Sequence, residues 1–211
     1  MDKQTTLRTD IYLLIASLMR QAPSREQLQF LSQLEVEPSE SAMQAAWLGV
    51  ISAAKVQLAQ EDSQSRLEQE YQELFIGIGR GEAMPFGSWH IAGALMEKPL
   101  AELRHDLALL GFERAESVKE PEDHISAICE VLALLSEQDE RQQQVMFNKH
   151  LAPWYQSLIK QINQAASANF YLAIAALMDA FFTLEQVRFS DASAHHKQGQ
   201  KIEVKNIVDT L

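Results

Sequence analysis

Cys129 is the one cysteine in 211 residues, so no internal disulfide can staple the fold, and the chain reads as a protein of a reducing compartment. Its neighbours Ile128, Val131 and Leu132 mark it as a small core residue. A catalytic thiol would need a surrounding motif, and none is present. Basic residues are scarce too: 18 Lys and Arg stand against 29 Asp and Glu, a net charge of -11. That deficit argues against a nucleic-acid backbone as partner, because phosphate binding needs a concentrated cationic surface. An acidic surface suits a cationic peptide, or simply keeps the protein in solution.

Long apolar runs are missing as well. No stretch reaches the roughly 18 apolar residues that span a bilayer. Lys3 and Arg8 ahead of Ile11 to Met19 imitate a secretory signal, but Asp10 interrupts the boundary and Gln21-Ala22-Pro23 is a poor cleavage site. Leu7, Ile11, Leu14, Ile15 and Leu18 share one helical stripe, so this segment is expected to be the first helix of the mature fold of a soluble protein. Alternating strand patterns and repeats of 20 to 50 residues are absent.

What is present is helical, and 46% apolar content can fill a core. Ser24 and Gln27 form a capping box opening a helix with Leu28, Leu31 and Leu34. Met43, Trp47, Val50, Ile51, Ala54 and Leu58 recur at threes and fours, as one buried helix face requires. Leu67, Tyr71, Leu74 and Phe75 mark a fourth helix, ended by Gly77, Gly79 and Gly81. From 76 to 98 the helical period is lost in a long connection with five glycines and several large apolar residues, and such connections tend to be functional. Pro99 and Gly111 bracket a fifth helix. Pro121 is placed in the first turn of a sixth, ending near Leu135. Pro153 kinks or restarts the segment from Val145 to Ile162, and a last helix spans Asn169 to Phe189. The expected fold is an all-α bundle of about eight to ten helices in two sub-domains. These are 1–111, with the loop 76–98, and 122–189, joined by a hinge at 112–121 and followed by a loosely docked tail at 190–211.

Motifs for chemistry are sparse. Gly77-Ile-Gly79-Arg-Gly81 lacks both the dinucleotide fingerprint and the Gly-Lys-Ser/Thr of a phosphate loop. Ser88 follows Phe86-Gly87 and does not form a nucleophile elbow. Glu122, Asp123 and His124 have the residue types of metal ligands, but they are consecutive, whereas a helical site needs ligands three or four apart. His195 and His196 lack further ligands. Glu120 to His124 therefore admits two readings: carboxylates complementing a helix N-terminus, or part of a binding site. An enzyme is not expected, although a metal-dependent hydrolase using Asp123 and His124 and a plain helical scaffold remain as alternatives.

One combination carries a resemblance. It consists of Glu70-Tyr71-x-x-Leu74-Phe75-x-Gly77, Pro85-Phe86-Gly87-Ser88, Leu103-Arg104 with Leu110-Gly111-Phe112, Glu120-Pro121-x-Asp123-His124-Ile125, and Phe147-x-x-His150-Leu151-x-Pro153-Trp154. In order and spacing this resembles the TorD/DmsD family of redox-enzyme maturation chaperones. The resemblance implies a TorD-like cytoplasmic chaperone that binds the twin-arginine signal peptide and the apo catalytic subunit of a molybdopterin oxidoreductase. It assists cofactor insertion and prevents premature export. Also implied are no resident cofactor or metal, guanine nucleotide at the hinge at most, and a monomer or domain-swapped dimer. Carried onto this sequence, the client-binding surface is Tyr71, Leu74, Phe75, Pro85, Phe86, Ser88 and Trp89, with Glu120, Glu122, Asp123 and His124 at the hinge. The physics of such a client agrees: two fixed cations followed by an apolar segment need carboxylates beside an apolar groove.

Overall fold

The computed structural model describes residues 3–115 and 118–195, with side chains described over 5–115 and 118–190. Among these residues the chain is all-α. Ten α-helices follow in order: α1 Lys3–Arg20, α2 Arg25–Ser32, α3 Ala42–Leu58, α4 Ser63–Tyr71, α5 Gly87–Ala92, α6 Lys98–Leu109, α7 Ile125–Gln138, α8 Glu140–His150, α9 Tyr155–Gln164 and α10 Phe170–His195. The Ser24–Gln27 capping box forms as expected, with both reciprocal hydrogen bonds present. A π turn, Gln72–Ile76, extends α4.

One apolar core runs through the bundle, with α1 against α7 and α3 against α10. It draws Ile15, Leu18 and Val50 from before residue 112, and Leu132, Phe147 and Phe182 from after 121. Phe170–Ser190 is long and apolar enough to cross a membrane by length and composition, yet half of that window is buried inside this fold. Glu185, in its second half, is only 3% exposed.

Four expectations change. Leu7, assigned to a buried stripe, is 59% exposed and Leu184 in the last helix is 55% exposed, and their charged neighbours Arg8 and Glu185 face inward instead. The reason is mutual: Arg8 donates from Nε and Nη2 to the Glu185 carboxylate at 2.8 and 2.6 Å, Tyr12 adds its hydroxyl at 2.8 Å, and Gln143 accepts the other Nη2 bond at 2.8 Å. The pair turns both helices so that charges meet in the core.

The connection 76–98 is not wholly irregular. Gly93, at φ 78°, closes the six-residue helix α5, too short to leave a periodic signature. Pro121 does not start α7; it lies in a turn whose carbonyl accepts from His124 N–H at 3.1 Å, and His124 is the cap residue. Finally, α10 runs on to His195. The remainder of the expected tail, including His196, lies outside the described residues.

Candidate functional site

The motif beginning at Glu70 is first of all a set of caps. The Glu70 carboxylate, buried, accepts from the backbone N–H groups of Asn169 (2.8 Å), Phe170 (3.2 Å) and Tyr171 (2.9 Å) at the start of α10. An anion at the positive end of a 26-residue helix satisfies backbone donors that the helix itself leaves unpaired. Tyr71 turns the other way, donating its hydroxyl to the Arg20 carbonyl at the end of α1 (2.7 Å). Phe75 packs between Tyr71 and Tyr171, while Leu74 is fully buried.

The glycines that follow are steric. A Cβ on Gly77, at φ 61°, would sit 2.1 Å from the Arg80 carbonyl oxygen, and one on Gly81 would sit 2.4 Å from that of Leu74. Their loop folds back tightly on the π turn, with Ala83 N–H donating to the Leu74 carbonyl at 2.8 Å.

That fold-back delivers Pro85–Ser88 to the segment ahead of α7, where Phe86 and His124 form an antiparallel bridge. Gly87 N–H donates to the Asp123 carbonyl (2.9 Å) and Ile125 N–H to the Pro85 carbonyl (2.8 Å). The Phe86 ring meets the imidazole edge to face at 5.0 Å. A Cβ at Gly87 would lie 3.0 Å from Nε1 of Trp154, so a larger residue there presses on the indole. The loop motif and the charged motif are therefore one structural unit.

Side chains of extended backbone alternate in direction. Phe86 and His124, opposite each other in the bridge, face one side, and Asp123 faces the other, where Ser88 joins it from the first turn of α5. On the first side lies a groove of about 670 Å³, with Tyr71, Phe75, Met84, Phe86, Leu107 and Leu134 among its walls. Its charged rim includes Arg20, Arg114, Glu120, Glu122 and Glu130. Most of these charges are engaged: Arg20 pairs with Glu130, and Glu122 is held by Arg104 at 2.8 Å and Arg114 at 3.4 Å. Glu120 is exposed, and among the described residues no cation pairs with its carboxylate.

The rim tunes its neighbours. Burial pushes the Tyr71 hydroxyl up to about 12, with the Glu120 charge adding and Arg20 opposing. Burial lowers His124 to about 4 against the pull of Glu120, so the imidazole is neutral near pH 7. Its Nδ1 accepts from Ser126 N–H at 3.2 Å and shares a 2.7 Å hydrogen bond with the Ser126 hydroxyl. His124 is thus an N-cap as well as a wall of the groove.

Of the residues singled out from the sequence, Tyr71, Phe75, Pro85, Phe86, Glu120, Glu122 and His124 line this groove. Leu74, Ser88 and Asp123 do not: Leu74 is core, and the other two line a separate cavity of about 160 Å³ behind the bridge. Trp89 is half-buried, its ring 5.0 Å beneath the guanidinium of Arg80. Because Asp123 and His124 face opposite sides, they cannot share one metal ion. Among the described residues no three His, Cys, Asp or Glu side chains form a metal cluster. Cys129 is buried and its thiol is pushed far up by that burial. Arg20, Leu107, Glu130 and Leu134 were not foreseen in the groove; they come from α1, α6 and α7, and no local pattern marks them.

Residues 37–160 match the family described as the nitrate reductase delta subunit. Over 198 residues the chain is 24% identical to the chaperone protein TorD of Vibrio parahaemolyticus, covering 84% of this chain and 92% of the relative. It is 28% identical over 134 residues to the chaperone protein TorD of Vibrio cholerae, covering 57% and 61%. Among solved structures, a redox enzyme maturation protein from Archaeoglobus fulgidus shares the fold at a TM-score of 0.52 and 20% identity, covering 85% of this chain and 94% of that one.

Proposed function

The chain belongs to the nitrate reductase delta subunit family, and from that premise we propose that it is a TorD-type maturation chaperone. Its clients are the twin-arginine signal peptide and the apo catalytic subunit of a molybdopterin oxidoreductase. It acts in the cytoplasm, holding the client back from export while the cofactor is inserted. It is not an enzyme, and we assign it no resident cofactor.

The observation that carries this reading is the groove at the bridge, apolar within and acidic at one rim. The apolar walls formed by Phe75, Met84, Phe86 and Leu134 suit the hydrophobic segment of a signal peptide. Met84 adds adaptability to varied apolar sequences. Glu120, exposed and without an ion-pair partner among the described residues, is the carboxylate available to an incoming arginine, whereas Glu122 is already committed to Arg104 and Arg114. The 112–121 link is proposed as the hinge through which a monomer would exchange elements in a domain-swapped dimer.

Affinity purification of the full chain from cells making molybdoenzymes, followed by mass spectrometry, tests this. A catalytic subunit still carrying its signal peptide should be retained by the wild type and lost with Phe86→Ala. Retention of no such subunit would contradict the reading.

A further inference from the structure

The wall of the groove formed by Met84, Pro85 and Phe86 is held from behind by side chains that do not line the groove. Both backbone polar groups of Met84 are taken. Its N–H donates to Gln161 Oε1 at 2.9 Å, and its carbonyl is 2.7 Å from His90 Nε2. A carbonyl can only accept, so Nε2 carries the hydrogen, and Nδ1, left as the acceptor, meets the Ser157 hydroxyl at 3.0 Å. Burial lowers the His90 imidazole from its ordinary range, with the Met84 carbonyl pulling the other way, which favours this neutral tautomer.

The imidazole is fixed in its plane. It stacks on Trp154 at 5.2 Å with 16° between the rings, and Trp154 is itself buried, donating Nε1–H to the His150 carbonyl at 2.6 Å. Ser157 and Gln161 lie one turn apart on α9, so a single helix face supports both ends of the arrangement. Beyond Met84 the chain has no free handle before the bridge: Pro85 lacks an N–H, and its carbonyl already accepts from Ile125. Met84–Phe86 is therefore strung between two anchors, α9 on one side and the segment ahead of α7 on the other.

We propose that His90 is a positioning residue for the groove, setting where the Met84–Phe86 wall stands and hence how tightly the groove closes on a client's apolar segment, without touching the client. The inference rests on the reading of the groove as the client site and adds a residue to it. The physical cause is the Met84 carbonyl. Met84 is 7% exposed, and a buried carbonyl that loses its donor is costly enough for the loop to move until water reaches it. Pro85 and Phe86 follow directly, so the displacement passes to the apolar wall. A His90 that served stability alone would leave affinity unchanged once the protein is folded.

Titration calorimetry with a peptide of two arginines and an apolar segment, run well below the Tm of each variant, tests this together with NMR of the Met84 methyl group in the ligand-free protein. His90→Ala should weaken the peptide about tenfold, the scale of one buried hydrogen bond, and shift the Met84 methyl resonance. His90→Gln, whose amide can donate to the same carbonyl, should restore most of both. His90→Ala combined with Phe86→Ala should bind within about twofold of Phe86→Ala alone, because the two act through one wall. Gln161→Ala, which frees the Met84 N–H on the same wall, gives parallel readings should His90→Ala not fold. Affinity unaltered in the folded His90→Ala variant, no rescue by glutamine, or independent losses in the double variant overturns the proposal. Failure of the wild type to bind the peptide sinks the reading of the groove instead, and the methyl resonance then decides: unmoved by His90→Ala it overturns the positioning role, moved and restored by His90→Gln it supports it.

Discussion

Replacing Glu70 by alanine should loosen the N-terminus of α10. The carboxylate accepts three backbone N–H groups there, at 2.8, 3.2 and 2.9 Å. Asn169 is exposed and its N–H can turn to water, but Phe170 and Tyr171 are fully buried. Each buried donor left unpaired costs about 1–3 kcal/mol. Removing an anion from the positive end of the helix adds about 0.3–1 kcal/mol. Water entering the space vacated by the side chain recovers part of this, leaving a net loss of about 3 kcal/mol. For a chain of this length that lowers Tm by about 6–12 °C. Glu70→Gln retains one acceptor oxygen and should fall between wild type and alanine. Thermal melts followed by far-UV circular dichroism read the effect, and signal-peptide affinity measured well below Tm should be unchanged. A drop of less than about 2 °C, or an intact Tm with lost affinity, would refute the assignment of Glu70 as a cap and make it a binding residue.

Three further outcomes are expected. Arg8→Met should destabilise by about 3–5 kcal/mol in a denaturant titration, because it strands the Glu185 carboxylate in the core, while Arg8→Met with Glu185→Leu should recover most of that loss; a double variant as unstable as the single one would contradict this. Burial lowers His124 to about 4 from an ordinary 6.5, so the unfolded chain takes up this proton more readily than the folded one. The stabilising contribution of the neutral imidazole is therefore complete above pH 6.5 and lost as pH falls towards 4, and His124→Asn, which keeps a cap acceptor, should flatten that part of the stability profile. Gly87→Ala should disturb the bridge by pressing on the Trp154 indole, seen as a shift in tryptophan fluorescence, and an unchanged spectrum would mean that the ring yields freely.

The fold was legible where the sequence repeats a physical rule. Threes and fours of apolar residues, the Ser24–Gln27 box and the prolines and glycines at helix ends are local, and they placed most helices within a few residues. The reading failed where a partner remote in sequence overrides the pattern. Leu7 looks like core and Arg8 like surface until Glu185 stands opposite, 177 residues away. Pro121 looks like a helix start until the bridge to Pro85–Gly87 takes the backbone groups of Asp123 and Ile125. The groove was half legible for the same reason. Consecutive residues Glu122, Asp123 and His124 look like one cluster, and only the extended backbone at the bridge sends Asp123 to the opposite side. Arg20 and Glu130 come from α1 and α7, and nothing local announces that they share a rim.

The central claim is that the groove beside the Phe86–His124 bridge receives a twin-arginine signal. Titration calorimetry with a synthetic peptide of two consecutive arginines followed by an apolar segment tests it most directly. The account predicts saturable binding by the wild type, weakened about tenfold or more by Phe86→Ala, as truncation of an anchor in an interface requires. Glu120→Gln should also weaken it, by removing the rim carboxylate, and weaker binding is expected when the arginines are exchanged for lysines. No binding by the folded wild type, or affinity unaltered in both variants, would contradict it.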